Sequence, residues 1–258
     1  MARGLLFLHD VSKLFPLLVV MSACGFNPRT LEVQPDAQAP TPTPAPPLTP
    51  DAAQQVAPCH SQLPGVVLCF DFETPSLDPT ILDTSSGHHD AIDSDVDPMT
   101  RLTQQAAMVT ESSSITVPAA PALDLLSPLS IELWLDAGQQ QDDTTVIQHD
   151  DDFGIDFHHQ PGCFFNDSDD LWAPSWSAGW HHVGCTYDGT TLRTYVDGSI
   201  VACANVDSYS SIHSKPLNIG LDYTGGLDDL HLYDRALAPQ EIQVMAGVTS
   251  GVASCPDS

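Results

Sequence analysis

Trp180-His-His-Val-Gly-Cys-Thr-Tyr-Asp-Gly-Thr-Thr-Leu-Arg-Thr-Tyr-Val-Asp-Gly198 is the stretch that decides the fold of this chain. Each of its two Asp-Gly pairs is a hairpin signal, because glycine supplies the positive φ that tight turns require. Before the first pair, Val183, Cys185 and Tyr187 alternate with other residues, which is the period of a strand. With Ser199–Val206 as a third strand, the stretch predicts an antiparallel meander.

Further short runs of apolar and β-branched residues precede the meander and are bounded by turn residues. These predicted strands are Gly65–Phe72, Ser113–Val117, Leu129–Leu135, Thr144–Gln148 and Phe153–Phe157. One helix is predicted at Ala238–Met245, where Pro239 suits the first helical position but Ala238 offers no side-chain cap. Many short strands and a single helix indicate an all-β fold, a two-sheet antiparallel jelly-roll sandwich.

The order of these segments resembles that of the laminin-G-like, concanavalin A-like jelly-roll domains of exported bacterial proteins. The resemblance spans Leu68–Met245 and rests on an ordered set of motifs. They are Leu68-Cys-Phe-Asp-Phe-Glu73, Asp83-Thr-Ser-Ser-Gly87, Ser130-Ile-Glu-Leu-Trp134, Trp180-His-His-Val183, Tyr195-Val-Asp-Gly198, Leu217-Asn-Ile-Gly220, Gly225-Gly-Leu-Asp-Asp-Leu230 and Tyr233-Asp-Arg-Ala-Leu237. The resemblance implies that the last strand, Leu227–Tyr233, pairs beside the first and closes the sandwich.

The resemblance also implies a structural calcium ion near the first and last strands. Its ligand would be Asp228, with Asp71 on the neighbouring strand as a second ligand. Calcium requires six or more oxygens, and these two carboxylates supply only part of that set. The alternative is that Asp228 hydrogen-bonds the backbone at the sheet edge.

The charge of the chain narrows the class of its partners. There are 34 acidic against 7 basic residues, a formal net charge of −27. Such a chain is repelled by phosphate backbones, so nucleic acid is excluded as a partner. Anionic surface polymers are disfavoured for the same reason, although most of the acids are explained by solubility alone.

The N-terminal residues have the pattern of a bacterial lipoprotein signal. Arg3 and Lys13 precede a short apolar run, and Ser22-Ala23-Cys24 resembles a lipobox. We therefore expect residues 1–23 to be a signal peptide and Cys24 to carry lipid, unless this is an ordinary signal peptide with a chance cysteine.

The segment after the predicted lipidation site is rich in Pro, Ala and Thr. Residues 24–58 lack an apolar period and predict a disordered linker, which leaves 59–258 as one jelly-roll domain. The lipid anchor predicts a location in the cell envelope. Gly25 lacks the Asp that is linked to inner-membrane retention in some bacteria, which favours the outer membrane.

Six cysteines follow Cys24, an even number that predicts disulfides in an exported domain. The first expected pair is Cys163–Cys185, on two strands expected to be neighbours. The second is Cys59–Cys255, since these residues flank the domain and chain termini often lie close together.

A loop with two tryptophans is the candidate ligand surface. Trp172 and Trp176 would stack on a sugar ring, with the acidic side chains of Asp167, Asp169 and Asp170 beside them. The alternative is that both indoles cap the edge of the core, because tryptophan is usually mostly buried.

The catalytic alternative has weaker support. Jelly-roll glycoside hydrolases place three carboxylates at alternate positions of one strand, whereas here Glu132 and Asp136 flank Trp134 without the middle carboxylate. The sequence therefore predicts a non-catalytic, lipid-anchored module that binds a glycan or a protein outside the cytoplasm. The alternatives are a polysaccharide-active hydrolase or lyase and a purely structural or adhesive envelope protein.

Overall fold

The computed structural model describes residues 63–73, 79–138, 144–166, 168, 170–207 and 214–256. Cys24, Cys59 and the Pro-rich segment lie outside these residues. The described strands and helix are β1 (Val66–Phe70), β2 (Thr80–Ile81), β3 (Ala91–Ser94), β4 (Asp97–Arg101), β5 (Gln104–Val109), β6 (Ser114–Val117), β7 (Leu129–Ala137), β8 (Thr144–His149), β9 (Phe153–Phe157), β10 (Pro161–Phe165), β11 (Leu171–Trp172), β12 (His181–Tyr187), β13 (Thr191–Val196), β14 (Ser199–Asn205), β15 (Leu217–Leu221), β16 (Gly225–Tyr233) and α1 (Pro239–Met245).

Two antiparallel sheets form the predicted sandwich. Sheet A has the order β14-β13-β12-β7-β16-β5-β4, and β1 also pairs with β16. Sheet B has the order β11-β10-β9-β8-β15-β6-β3-β2. The meander predicted from the two Asp-Gly turns is β12-β13-β14, in which Val183 pairs with Val196 and Thr194 with Ala202. The all-β jelly-roll prediction is confirmed.

The first and last strands lie side by side, as the resemblance implied. Leu68 pairs with Leu232 and Phe70 with Leu230, so β1 runs antiparallel to β16. The first residues of β16 pair with β5, and β7 pairs along the opposite edge of β16. This pairing joins strands that are far apart in sequence and closes sheet A.

Alternate residues of the two sheets meet in one apolar core. From sheet A, Leu133, Val183 and Leu227 are fully buried, and they pack in one cluster with Ile155 and Ile219 of sheet B. Each such side chain stabilises the fold by about 1.5–3 kcal/mol when it leaves water. The odd-numbered residues of β7 face this core, so Ser130, Glu132 and Trp134 must face the other side of sheet A.

A second, smaller cluster covers part of that other side. Helix α1 buries Ile242 against Tyr195 and Tyr233, with Leu237 of the preceding loop. Ala238 gives the helix no side-chain cap, but the Glu241 carboxylate accepts the Ala238 backbone N–H at 2.8 Å. The helix is thereby held against sheet A at its first turn.

The disulfides agree with one of the two expected pairs. Cys163 and Cys185 are bonded, but they link β10 of sheet B to β12 of sheet A across the core instead of joining neighbouring strands. The expected Cys59–Cys255 pair is wrong, because Cys255 is bonded to Cys203 on the edge strand β14. Residues 250–256 follow this strand, and Ile200 donates its N–H to the Val252 carbonyl at 2.8 Å.

The remaining described cysteine, Cys69, is also disulfide-bonded. The four other described cysteines are paired with one another, so the partner of Cys69 is not among the described residues. Cys255 was assigned to Cys59 because both flank the domain. That reasoning failed because the C-terminal residues return along β14.

The two described disulfides should differ in their rate of reduction. Thiol–disulfide exchange requires an attacking thiolate to reach a sulfur atom. Cys163 and Cys185 are 0% and 2% exposed, whereas Cys255 is exposed. Under native conditions a dithiol should reduce Cys203–Cys255 first, measured by alkylation of the new thiols and mass spectrometry. Labelling of Cys163 and Cys185 at an equal or higher rate would contradict the fold described here.

Candidate functional site

Two aromatic rings lie against glycines on the outer face of sheet B. A Cβ added to Gly162 would be 2.5 Å from Cε3 of Trp172, and one added to Gly154 would be 2.6 Å from the Phe164 ring. These contacts are possible only because glycine has no side chain, so each ring can rest on the backbone of the next strand. Trp172 remains partly exposed and Phe164 is 9% exposed, and we name the two rings together the platform.

The register of the strands explains why the rings share one face. Gly162 of β10 pairs with Trp172 of β11 on one side and with Asp156 of β9 on the other. Phe164, two residues after Gly162, pairs with Gly154. Since residues two apart in a strand share a face, both rings project outward from the sandwich.

A shallow pocket of about 160 Å³ lies beside the platform. Phe164 lines it together with the side chains of Gln148, Asp151, Asp156, Ser168 and Asp170. In such a pocket the apolar ring can contact one face of a ligand, and the surrounding oxygen and amide groups can hydrogen-bond the rim of the ligand. The arrangement suits a small ring that carries hydroxyl groups.

The structure separates the residues of the predicted ligand surface. Trp172 belongs to the platform and Asp170 to the pocket, while Asp167 and Asp169 lie outside the described residues. Trp176 instead packs on the core edge, with its ring 5.5 Å from that of Phe157 and 4.7 Å from that of His181. For Trp176 the core-edge alternative is therefore the one observed.

Sequence reasoning missed Phe164 and the two glycines. Cys163 was expected on a strand, but no bounds or register were predicted for it, so Phe164 could not be assigned to a face. A signal was present, since an isolated glycine inside a strand often marks a place where another group approaches the backbone closely.

A layer of buried charged residues occupies the opposite side of the molecule, on the outer face of sheet A. Glu132 is 1% exposed, and its carboxylate lies between two imidazoles. Nε2 of His182 is 2.6 Å from Oε2 of Glu132, and Nδ1 of His231 contacts Oε1. Burial alone would raise the pKa of Glu132, but attraction to His231 and hydrogen bonds from both imidazoles outweigh it and lower the pKa to about 2.

The same layer continues with Arg101 between two aspartates. Its Nε donates to Asp228 at 2.6 Å and its Nη2 donates to Asp229. Its guanidinium carbon lies 4.5 Å from the centre of the Trp134 ring, a cation–π distance. Neighbouring residues of a regular strand face opposite sides, but β16 has a bulge between Asp228 and His231 that turns both carboxylates toward Arg101.

A single guanidinium faces two carboxyl groups. Its attraction does not offset the effects of burial and of neighbouring negative charge, so the pKa values of both aspartates are raised. Burial and the nearby Asp229 raise the pKa of Asp228 to about 8, and burial raises that of Asp229 to about 6 despite Arg101. Burial tends to lower the pKa of His231, but attraction to Glu132 raises it overall.

The surroundings of Asp228 do not suit a calcium ion, while Asp71, which follows β1, accepts a hydrogen bond from the Glu73 backbone N–H at 3.3 Å. Asp228 is fully buried, and its two oxygens accept hydrogen bonds from Arg101 and from the Asp229 backbone N–H at 2.9 Å. A guanidinium beside the carboxylate repels a divalent cation. Within the described ranges, no group of three or more His, Cys, Asp or Glu side chains is arranged to hold a metal ion.

The sequence was compared with models of known protein families. Residues 109–243 match the family model described as the concanavalin A-like lectin/glucanases superfamily. The sequence matches no curated protein. The described residues also contain no helix that is long and apolar enough to cross a bilayer.

Several solved binding domains have a similar fold. Domain 4 of AbnA, an extracellular arabinanase from Geobacillus stearothermophilus determined with arabinotriose, matches with a TM-score of 0.59 and 15% identity over 70% of this chain and 98% of that domain. The binding domain of Paraclostridial Mosquitocidal Protein 1 also gives 0.59 and 15%, over 70% of this chain and 52% of that one.

A third similar structure is the binding domain of botulinum neurotoxin DC in complex with SialylT. It has a TM-score of 0.56 and 13% identity, over 71% of this chain and 51% of that one. This chain therefore spans about half the length of the two toxin domains. At these identities the likeness shows the fold alone.

The buried charged layer should make the protein more stable in mild acid than in mild base. Asp228 and Asp229 have folded-state pKa values of about 8 and about 6, above their unfolded value, so stability falls as the pH rises from about 4 through these values. The raised pKa of His231 acts in the same direction above pH 6.5. Glu132 adds stability above its unfolded pKa of 4.5 that is lost toward its folded pKa of about 2.

The melting temperature should therefore be several degrees higher at pH 5 than at pH 8.5, measured by calorimetry. Asp229→Asn should reduce that difference, whereas Asp97→Asn, at an exposed position of β4, should leave it unchanged. A melting temperature that rises steadily from pH 5 to pH 8.5 would contradict the assignment of these buried charges.

Gly162→Ala should move the Trp172 indole off the sheet. The added Cβ would lie closer to the ring than real Cβ atoms approach, and the ring can swing toward solvent. We expect the Trp172 indole N–H resonance, assigned from Trp172→Phe, to shift in a ¹⁵N correlation spectrum. Gly138→Ala is the control, since a Cβ there meets nothing within 4 Å. An unmoved Trp172 resonance in Gly162→Ala would show that the ring does not rest on Gly162.

Proposed function

The chain belongs to the concanavalin A-like lectin/glucanases superfamily, and we propose that it is a non-catalytic glycan-binding module of the cell envelope. The observation that carries the proposal is the platform, where the Trp172 ring rests against Gly162 and the residue remains partly exposed. Exposed aromatic rings held rigid by their neighbours are well suited to binding, because little conformational freedom is lost.

The surroundings of the platform fit a sugar. Gln148, Ser168 and Asp170 offer donors and acceptors around Phe164, which matches the hydroxyl groups at the rim of a sugar ring. One of the similar structures was determined with a sugar, arabinotriose. Its fold is shared with this chain, and the platform supplies the chemistry for a ligand of the same class.

The proposal of a non-catalytic role is supported by the state of Glu132. General acid catalysis on a glycosidic bond requires a carboxyl group that can reach the substrate. Glu132 is almost fully buried, and both of its oxygens contact imidazoles. Its position favours a structural role in the charged layer of sheet A.

The proposed location rests on the sequence of the N-terminal segment. Lipidation at Cys24 would hold the module on the membrane, and residues 24–58 would act as an extended linker. Pairing of Cys163 with Cys185 and of Cys203 with Cys255 suits a compartment outside the cytoplasm. The outer membrane is the proposed site of the anchor.

Trp172→Ala should weaken glycan binding by at least about tenfold, or about 1.4 kcal/mol. The loss follows from removal of the stacking surface, and it can be measured by calorimetry with ligands first identified on a glycan array. Val244→Ala is a suitable control, because Val244 is 69% exposed on helix α1 at the sheet A side. Unchanged affinity in Trp172→Ala would remove the platform from the account, and an empty array with a captured protein partner would favour an adhesive role.

The lipid anchor has its own test. Cells that express the wild-type chain should incorporate labelled palmitate into it, and Cys24→Ala should abolish the label and release the protein from membranes. Val244→Ala, a change at an exposed position of helix α1, is the control. Equal palmitate incorporation into wild type and Cys24→Ala would exclude the anchor.

A further inference from the structure

A continuous row of side chains crosses the outer face of sheet B and ends at the platform. It follows the paired residues of seven strands, and we name it the cross-strand row. Its members in spatial order are Thr80, Ile92, Thr116, Asn218, Gln148, Gly154 and Phe164. Six strand spacings of about 4.8 Å give the row a length of about 29 Å.

Five members of the row, from Thr80 to Gln148, are partly or fully exposed, whereas Gly154 is buried and Phe164 is only 9% exposed at the aromatic end. The residues beside the exposed members face the core. Ile115 and Ile219 are fully buried, whereas their chain neighbours Thr116 and Asn218 are partly exposed. Ile92 is 60% exposed at the far end. The row is therefore an accessible strip, and Thr116 already donates to Oδ1 of Asn218 at 3.5 Å within it.

The chemistry of the row is polar and uncharged. Its hydroxyl and amide groups can both donate and accept hydrogen bonds, which is the pattern that sugar hydroxyls require. No member of the row is ionisable, and the acidic side chains of Asp151, Asp156 and Asp170 lie at its aromatic end. An anionic sugar would meet these carboxylates with no opposite charge on the row.

The basic side chains of the described residues are already paired, including Lys215, whose partner Asp150 is next to Asp151 of the pocket. Each Lys or Arg side chain among the described residues has an acidic partner. The pairs are Arg101 with Asp228 and Asp229, Arg193 with Asp188, Lys215 with Asp150, and Arg235 with Glu241. Three of these four basic residues belong to sheet A or to the loop that follows it.

We infer that the ligand is an extended, uncharged polysaccharide that lies across the strands of sheet B, from the platform along the cross-strand row. This inference rests on the proposed function and adds the direction, length and charge of the ligand. The platform binds one sugar unit, and Gln148, Asn218 and Thr116 hydrogen-bond the units that follow. Affinity therefore increases with the length of the chain until the row is filled.

Calorimetry with a ladder of arabino-oligosaccharides tests the length dependence, with xylo-, gluco- and manno-oligosaccharide ladders in parallel. In the series that binds, the octasaccharide should bind at least about tenfold tighter than the trisaccharide. Asn218→Ala should remove about half or more of that gain in free energy and leave trisaccharide affinity unchanged, since the short ligand occupies only the platform. Oligogalacturonate, an anionic chain, should not bind measurably.

The matched control is Asn205→Ala, because Asn205 is an exposed residue of the same type at the end of β14 in sheet A. It should leave the affinity of every oligosaccharide unchanged. Equal affinity for short and long chains, with Trp172→Ala still weakening binding, would overturn the cross-strand row and leave the proposed function intact. Tight binding of oligogalacturonate would overturn the charge selection. Absence of binding to every glycan would overturn the proposed function and this inference together.

Discussion

Pairing of β16 with β1, β5 and β7 is the interaction on which the rest of this structure depends. It brings the first and last strands together and closes sheet A, with Leu68 opposite Leu232. The bulge in β16 is part of the same pairing and turns Asp228 and Asp229 to one side. Two carboxylates on one side require a cation, and Arg101 is buried between them.

The two outer faces of the sandwich consequently have different roles. The outer face of sheet A contains the buried charged layer of Glu132, His182, His231 and Arg101, and helix α1 covers part of it. Desolvation of buried ionic groups offsets much of their mutual attraction, whereas removing one partner of such a pair is strongly destabilising. The outer face of sheet B keeps a partly exposed polar strip and the platform, which makes it the surface suited to recognition.

Much of the fold could be predicted from sequence because it depends on local signals. Asp-Gly turns and alternating apolar residues predicted the three-stranded meander. The order of the motifs indicated the pairing of the first and last strands. The Cys163–Cys185 pair was predicted correctly, although its strands face each other across the core. The Cys203–Cys255 pair was missed because the path of residues 250–256 along β14 depends on tertiary packing.

The site was harder to predict, since it is built from groups that are distant in sequence. Trp172 was named from its loop, but its role depends on Gly162, which lies opposite it only through the register of β10 and β11. Asp228 was assigned to calcium on resemblance, and the structure gives it Arg101, a residue 127 positions away. Pairings of this range leave no local pattern in a single sequence.

A crystal structure of the protein with a bound neutral oligosaccharide tests the central claim most directly, namely that the outer face of sheet B is the ligand surface. The account predicts electron density for a sugar ring against the Trp172 indole, with the following units over Gln148 and Asn218. Density for the sugar on the sheet A side, with Trp172 free of contacts to it, would contradict the account.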